Sequence, residues 1–474
     1  MTANASATAE PERREYTHAE RLRVITGVLT CILLVALDQS VVLPAIPQIA
    51  ASLHGVSHLS WVISAYLLTT TATTPIYGKL SDQLGRRAVL TPALLVFLAA
   101  CVVCALANSV PMLALGRALQ GLGGGALAAV GQAAVADVVP PRERARYQGW
   151  FASAWAFCSI AGPVAGGFIT QHLSWRWIFW GNLPLVAFAL ITSTRALRGL
   201  PAAGARGRID YAGALLLMFS VAATVLALTE GGTDFPWASA PEAAICAAAL
   251  LGFALLTAQQ RTAAAPLLPA PSLGRIGHVA ALGGLSSAAM FTAIFLLPLL
   301  LQWIYGETAS TAGMHLVPLL FATAIGAFAA GQATRRTGQI KPVLAAGLLV
   351  GATGFALLSL SLLAKSPAWP VAFSALAGVG LGALMPTTLV TVQSLANRSE
   401  MGAATGILLV VRAMGGTFGA TLAGLAITLA GHATASGFRL GFLTAALFLA
   451  LGLGLVARLP EIDLRPSVAI GKKA

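Results

Sequence analysis

Long apolar runs, each about the length that crosses a bilayer, follow one another along the chain with short polar or charged segments between them. A helix rises 1.5 Å per residue, so a hydrocarbon core of about 30 Å takes about 20 apolar residues. On that measure the pattern predicts spans near 24–46, 59–78, 88–107, 112–136, 147–170, 177–195, 210–229, 241–260, 278–303, 312–333, 342–364, 369–391, 403–429 and 437–457. The reading is an all-α polytopic membrane protein with fourteen transmembrane spans. Residues 1–20 and 459–474 are polar and read as tails; the first has no apolar core ahead of a cleavage site, so the first span serves as the insertion signal.

A repeat then organises these spans. The loop Gly78-Lys-Leu-Ser-Asp82-Gln-Leu-Gly85-Arg86-Arg87 after the second span returns after the tenth as Gly331-Gln-Ala-Thr-Arg335-Arg336-Thr-Gly338, displaced by 253 residues. Gly121-Leu-Gly-Gly-Gly125-Ala-Leu127 returns as Gly378-Val-Gly-Leu-Gly382-Ala-Leu384, and Gly162 and Gly167 return as Gly419 and Gly424, both at 257 residues. The displacement covers eight spans although the repeated unit needs only six, which predicts two inserted helices. Hence the expected domains are an N-terminal six-helix bundle (21–200), two inserted helices (201–265) and a C-terminal six-helix bundle (266–458). Parallel halves of this kind, with a site near the midplane, make up the major facilitator architecture.

Charge changes the picture by giving an orientation. Of the 29 Lys and Arg, only Arg176, Lys365 and Arg439 fall in segments on one side, and Arg117 and Arg412 lie inside spans; the other 24 share the side of both termini. The positive-inside rule makes that side cytoplasmic, in a cell (plasma or inner) membrane. A net charge of +13 is therefore an orientation signal, with no nucleic-acid partner implied. Composition agrees: 57% of residues are hydrophobic and only 9% charged. The five cysteines sit in apolar runs as small hydrophobes, and no metal site or ATP-binding motif is read.

The candidate chemistry starts with Asp38, the one carboxylate placed well inside a span. Holding it there costs about 2.5–3.5 kcal/mol on the insertion scale, and such an acid usually faces the bundle interior, where it pairs or carries protons. Arg117 lies roughly 7.5 Å in from the outer end of its span and Asp38 about 9 Å, so the two are level. Arg117 favours the ionised acid and burial the neutral one, a balance suited to loading and unloading a proton. The plainer alternatives are an Asp that only holds helices together and an Arg that snorkels outward. Gly78, Asp82, Gly85, Arg86 and Arg87 are read as a latch between halves, against ordinary positive-inside anchors; Gly162, Pro163, Gly166 and Gly167 are read as a hinge or seal. Arg412, near mid-membrane, either meets Asp38, offers charge to a substrate or bonds backbone carbonyls. Gln39, Tyr66, Gln120, Trp155 and Arg412, with Trp150 and Phe291, are the expected cavity lining; the plainer alternative for each aromatic residue is a lipid-facing or packing position.

Leu37-Asp38-Gln39-Ser40-Val41-Val42, GKLSDQLGRR, RALQGLGGGA, GPVAGG and Ser174-Trp175-Arg176-Trp177-Ile178-Phe179-Trp180-Gly181-Asn182-Leu183-Pro184 together resemble the fourteen-span drug:proton antiporter family of the major facilitator superfamily. The resemblance implies export of hydrophobic or cationic compounds in exchange for protons, with Asp38 and Arg117 in the coupling machinery. It implies no cofactor beyond a proton gradient, partners limited to small-molecule substrate, protons and membrane lipid, a monomer, and no enzymatic step. The thirteenth span has Arg412-Ala-Met-Gly-Gly and no acid, a departure from relatives that export polyvalent cations. A nutrient importer on the same scaffold and a non-transporting receptor or scaffold are the competing readings.

Overall fold

The computed structural model describes residues 16–53, 60–199, 210–231, 235–263, 266, 270–362, 366–430 and 434–461. Among these, every extended element is a helix. The first span is α1 (His18–Val42), a 3-10 turn at Leu43–Ala45 and α2 (Ile46–Ser52). It changes pitch where Pro44 and Pro47 withhold backbone donors. Then come α3 (Ser60–Leu84), α4 (Arg86–Ala105), α5 (Val110–Val138), α6 (Pro141–His172), α7 (Arg176–Ala196), α8 (Tyr211–Glu230), α9 (Ala240–Thr262) and α10 (Ala270–Trp303). A short α11 (Ala309–Met314) precedes α12 (Leu316–Thr337), α13 (Lys341–Ser361), α14 (Ala368–Leu395), α15 (Met401–Leu429) and α16 (Ala435–Ala457). The helices outrun the apolar runs: α6 begins at Pro141 and α10 at Ala270, ahead of the expected 147 and 278. Proline at N1, as in α6, and N-cap side chains such as Ser109, Asp210 and Thr434 let them start in polar segments.

Thirteen of the fourteen long helices are apolar enough to span a membrane by length and composition alone. The exception is α3, which carries Thr69, Thr70, Thr71, Thr73 and Thr74. Four of these hydroxyls are satisfied within the helix or on α5: Thr69, Thr73 and Thr74 donate to carbonyls one turn back, and Thr70 donates to the Gly121 carbonyl at 3.2 Å. A helix sandwiched between neighbours tolerates such residues because it shows little of itself to lipid.

Helices α1 and α3 to α7 form one bundle and α10 and α12 to α16 the other, with the same neighbours in each. The glycine repeat explains the match. Gly121 and Gly125 of α5 lie against the Tyr66 and Thr70 carbonyls of α3, leaving no room for a Cβ; Gly378 and Gly382 of α14 lie likewise against Leu319 and Thr323 of α12. The bundles meet along two pseudo-equivalent seams, α3 with α15 and α6 with α12. The inserted α8 and α9 pack on each other, and α8 lies over the first seam. It is bonded to both bundles: Ser64 of α3 donates to Glu230 at 2.7 Å, and Thr421 of α15 donates to the Leu228 carbonyl at 2.7 Å.

Candidate functional site

Asp38 comes to rest inside the N-terminal bundle, fully buried where α1, α3, α5 and α7 converge. The level pair meets: Arg117 Nη1 donates to Asp38 Oδ2 at 2.6 Å. Asn182 Nδ2 of α7 donates to Asp38 Oδ1 at 2.8 Å, and Gln120 Nε2 donates to the same oxygen at 3.3 Å. Arg117 is itself placed by Gln120 Oε1 at 2.7 Å, by the Val62 carbonyl at 3.2 Å and by the Tyr66 ring, 4.3 Å beneath its guanidinium. Gln120 touches the sulfurs of both Cys101 and Cys104. Both ions are therefore desolvated, paired and supplied with further hydrogen bonds, the conditions under which a buried pair is tolerated.

This placement corrects part of the sequence reading. Tyr66 and Gln120 are buried supports of the ion pair and do not line an open space. Cys101 and Cys104, read as inert hydrophobes, are polar contacts. The sequence marks Asn182 only as a lone amide in an otherwise apolar span, which carries little penalty and so stands out less than a charge. Gln39 is half-buried beside Asp38, and Trp155 is 39% exposed.

One turn beyond Asp38 the first span leans on α6. A Cβ at Gly162 would strike Ser40, and one at Gly166 would strike the Val41 carbonyl and Pro44. Gly167 has open space around it, so of the expected seal Gly162 and Gly166 make the contact. Pro163 lies within α6, which runs unbroken past it.

The second cluster lies on the face that carries the first and last helix ends. Gly85 joins α3 to α4 with φ at 93°, a left-handed conformation that glycine accepts without strain. This turn brings Arg86 back onto Asp82 at 2.7 Å, onto Ser81 at 2.6 Å and onto Asp137 of α5 at 2.8 Å. Asp82 also crosses to the other bundle. Its two oxygens accept from the Gly402 and Ala403 backbone N–H groups at 2.8 and 2.9 Å, capping the N-terminus of α15. An acid there satisfies donors that the helix leaves unpaired and meets the positive end of its dipole. Gly78 and Gly402 pass backbone to backbone beside it, with space for neither Cβ. Gln393 of α14 adds a bond to the Gln132 carbonyl of α5 at 3.4 Å. The latch joins the bundles through Asp82, with Arg86 behind it; Arg87 stands exposed. On the pseudo-equivalent seam Arg335 occupies the place of Asp82 and is exposed, so the cap is formed on one seam alone among the described residues.

Arg412 does not meet Asp38, whose partners are all in its own bundle. Its Nη2 bonds the Met385 carbonyl and Thr388 Oγ1 of α14.

A family model described as Major Facilitator Superfamily matches residues 28–420 and 279–473. The chain is 35% identical over 413 residues to the multidrug transporter protein MdtP of Bacillus subtilis, covering 87% of this chain and 76% of that protein. It is 32% identical over 398 residues to an uncharacterised MFS-type transporter of Mycobacterium tuberculosis, covering 84% of this chain and 58% of that protein. It is 30% identical over 434 residues to the efflux pump FUS6 of Gibberella moniliformis, covering 88% of this chain and 76% of that one. Its fold superposes on the proton:xylose symporter XylE with a TM-score of 0.66 at 15% identity, covering 95% of this chain and 98% of that one.

Proposed function

The chain belongs to the major facilitator superfamily, and from that premise we propose that it is a proton-driven exporter of small hydrophobic or amphipathic compounds, of the fourteen-span drug:proton antiporter type. In this reading it works as a monomer in the cell membrane with both termini in the cytoplasm, and it needs no cofactor beyond the proton gradient. The names of two relatives, a multidrug transporter and an efflux pump, support export over nutrient uptake.

The observation that carries the coupling is the sealed Asp38–Arg117–Asn182–Gln120 cluster. A proton taken up by Asp38 removes the charge that compensates Arg117. Arg117 then keeps Gln120 Oε1, the Val62 carbonyl and the Tyr66 ring, none of them charged, and the hold of α1 on α5 weakens. Because Ser40, Val41 and Pro44 rest on Gly162 and Gly166, a shift of α1 is passed to α6, and α6 packs on α12 of the other bundle. Loss of the Asp82 cap on α15 would release the terminus-bearing face and let access alternate.

Asp38→Asn keeps the size of the side chain and cannot ionise. In proteoliposomes it should abolish uphill, proton-driven efflux of a dye while substrate-for-substrate exchange persists. Substrate-induced proton movement at the wild-type level in Asp38→Asn would remove the claim.

A further inference from the structure

Among the described residues, Arg412 is a cation without a counter-ion. It lies near the middle of α15, the twelfth of that helix's 29 residues, about 16 Å along its axis and so well away from either headgroup layer. No Asp or Glu occurs within α10 to α16 themselves; Glu307 and Glu400 stand in the connections between them. The carboxylate inside the other bundle, Asp38, is sealed against Arg117. An arginine does not discharge itself by losing a proton. Met385 and Thr388 occupy Nη2 with neutral acceptors; Nε is enclosed with no acceptor; Nη1 has no partner among the described residues and keeps accessible surface. The guanidinium rests against Gly283 of α10 and reaches from α15 to α14, two helices that also touch the N-terminal bundle. One turn further along α15, Gly416 lies under Phe291 of α10, whose ring is 46% exposed.

We propose that Arg412 is an anion subsite where the bundles adjoin, and that the chain takes amphipathic molecules bearing a carboxylate, with the charge on Nη1 and the apolar body against Phe291. Each half of this arrangement follows from what is unpaired. A buried guanidinium gains most from a charge-assisted bond to an oxyanion, and an aromatic ring beside it accepts an apolar surface. Thr388 and the Met385 carbonyl hold the guanidinium fork in place.

The inference rests on the exporter reading only for the direction of transport, so binding is the decisive measurement. Pyrenebutyrate, pyrenebutanol and pyrenebutylammonium share one apolar body and differ in charge, and their fluorescence reports binding to the purified full-length protein in detergent. The wild type should bind pyrenebutyrate at least about tenfold more tightly than pyrenebutylammonium. Arg412→Gln should weaken pyrenebutyrate about ten- to hundredfold, the range of a hydrogen bond to a charged group, and leave pyrenebutanol within about twofold. Arg412→Lys should retain most of the preference, and Thr388→Val, which keeps the charge, should retain its sign. A wild type without preference for the anion overturns the proposal, and so does an Arg412→Gln protein that weakens all three probes alike. Charge-dependent binding without any proton-driven transport would support the subsite and overturn the exporter reading.

Discussion

At Asp38 the energetics of a buried pair make a sharper test than loss of function alone. Removing one member of such a pair strands the other charge and costs about 3–5 kcal/mol, a cost that does not arise when both charges go, and well-packed apolar replacements of a whole pair are often neutral or stabilising. Asp38→Asn and Arg117→Gln should each lower thermal stability in detergent; the double variant should recover much of the loss while proton-driven transport stays absent. A double variant less stable than either single one would mean that the pair does not act as a unit. The pair was legible in the sequence because a charge in an apolar run is conspicuous and depth can be counted at 1.5 Å per residue. Its escort was not. Asn182 and the thiols of Cys101 and Cys104 cost little to insert, and nothing in a one-dimensional pattern says which face of α7 or α4 meets α1. Tyr66 and Gln120 were noticed and assigned to a cavity, because sequence shows that a polar group is inside the membrane and not whether protein or water surrounds it.

At the scale of helices, the α3–α15 seam depends on two features of different kind, and they predict different defects. Asp82→Asn keeps one carbonyl oxygen, loses one of the two bonds to α15 and weakens the grip of Arg86. Bonds of that kind are worth about 1.5–3 kcal/mol each. The closed terminus-bearing face should become roughly tenfold or more less favoured, seen as slower turnover with substrate affinity within about twofold. A large loss of affinity at unchanged turnover would contradict the latch. Gly402→Val acts by bulk, since its Cβ would enter the Gly78 carbonyl. Spin labels across the seam should report a separation that Asp82→Asn produces only as a minor population. The glycine repeat announced the helix pairs, because close approach demands small residues at fixed spacing. The position of α8 and α9 was illegible: helices apolar on every side carry no mark of which neighbour they choose.

For the molecule as a whole, the charge asymmetry predicts a topology that labelling can check. Suitable probes are Thr337→Cys on the terminus-bearing face and Ser366→Cys on the opposite face, both exposed positions, in a background without the native cysteines. An impermeant thiol reagent added to intact cells should modify Ser366→Cys and spare Thr337→Cys; the reverse would invert the orientation. The bonds from Ser64 to Glu230 and from Thr421 to the Leu228 carbonyl have a kinematic consequence. Two rigid bodies strapped together along one edge keep a single easy rotation, about that edge, and the displacement it produces grows with distance from it. The α6–α12 edge has no strap among the described residues, so on each cycle it should sweep the wider arc, and that is the side on which a greasy solute dissolved in the bilayer would find the door ajar.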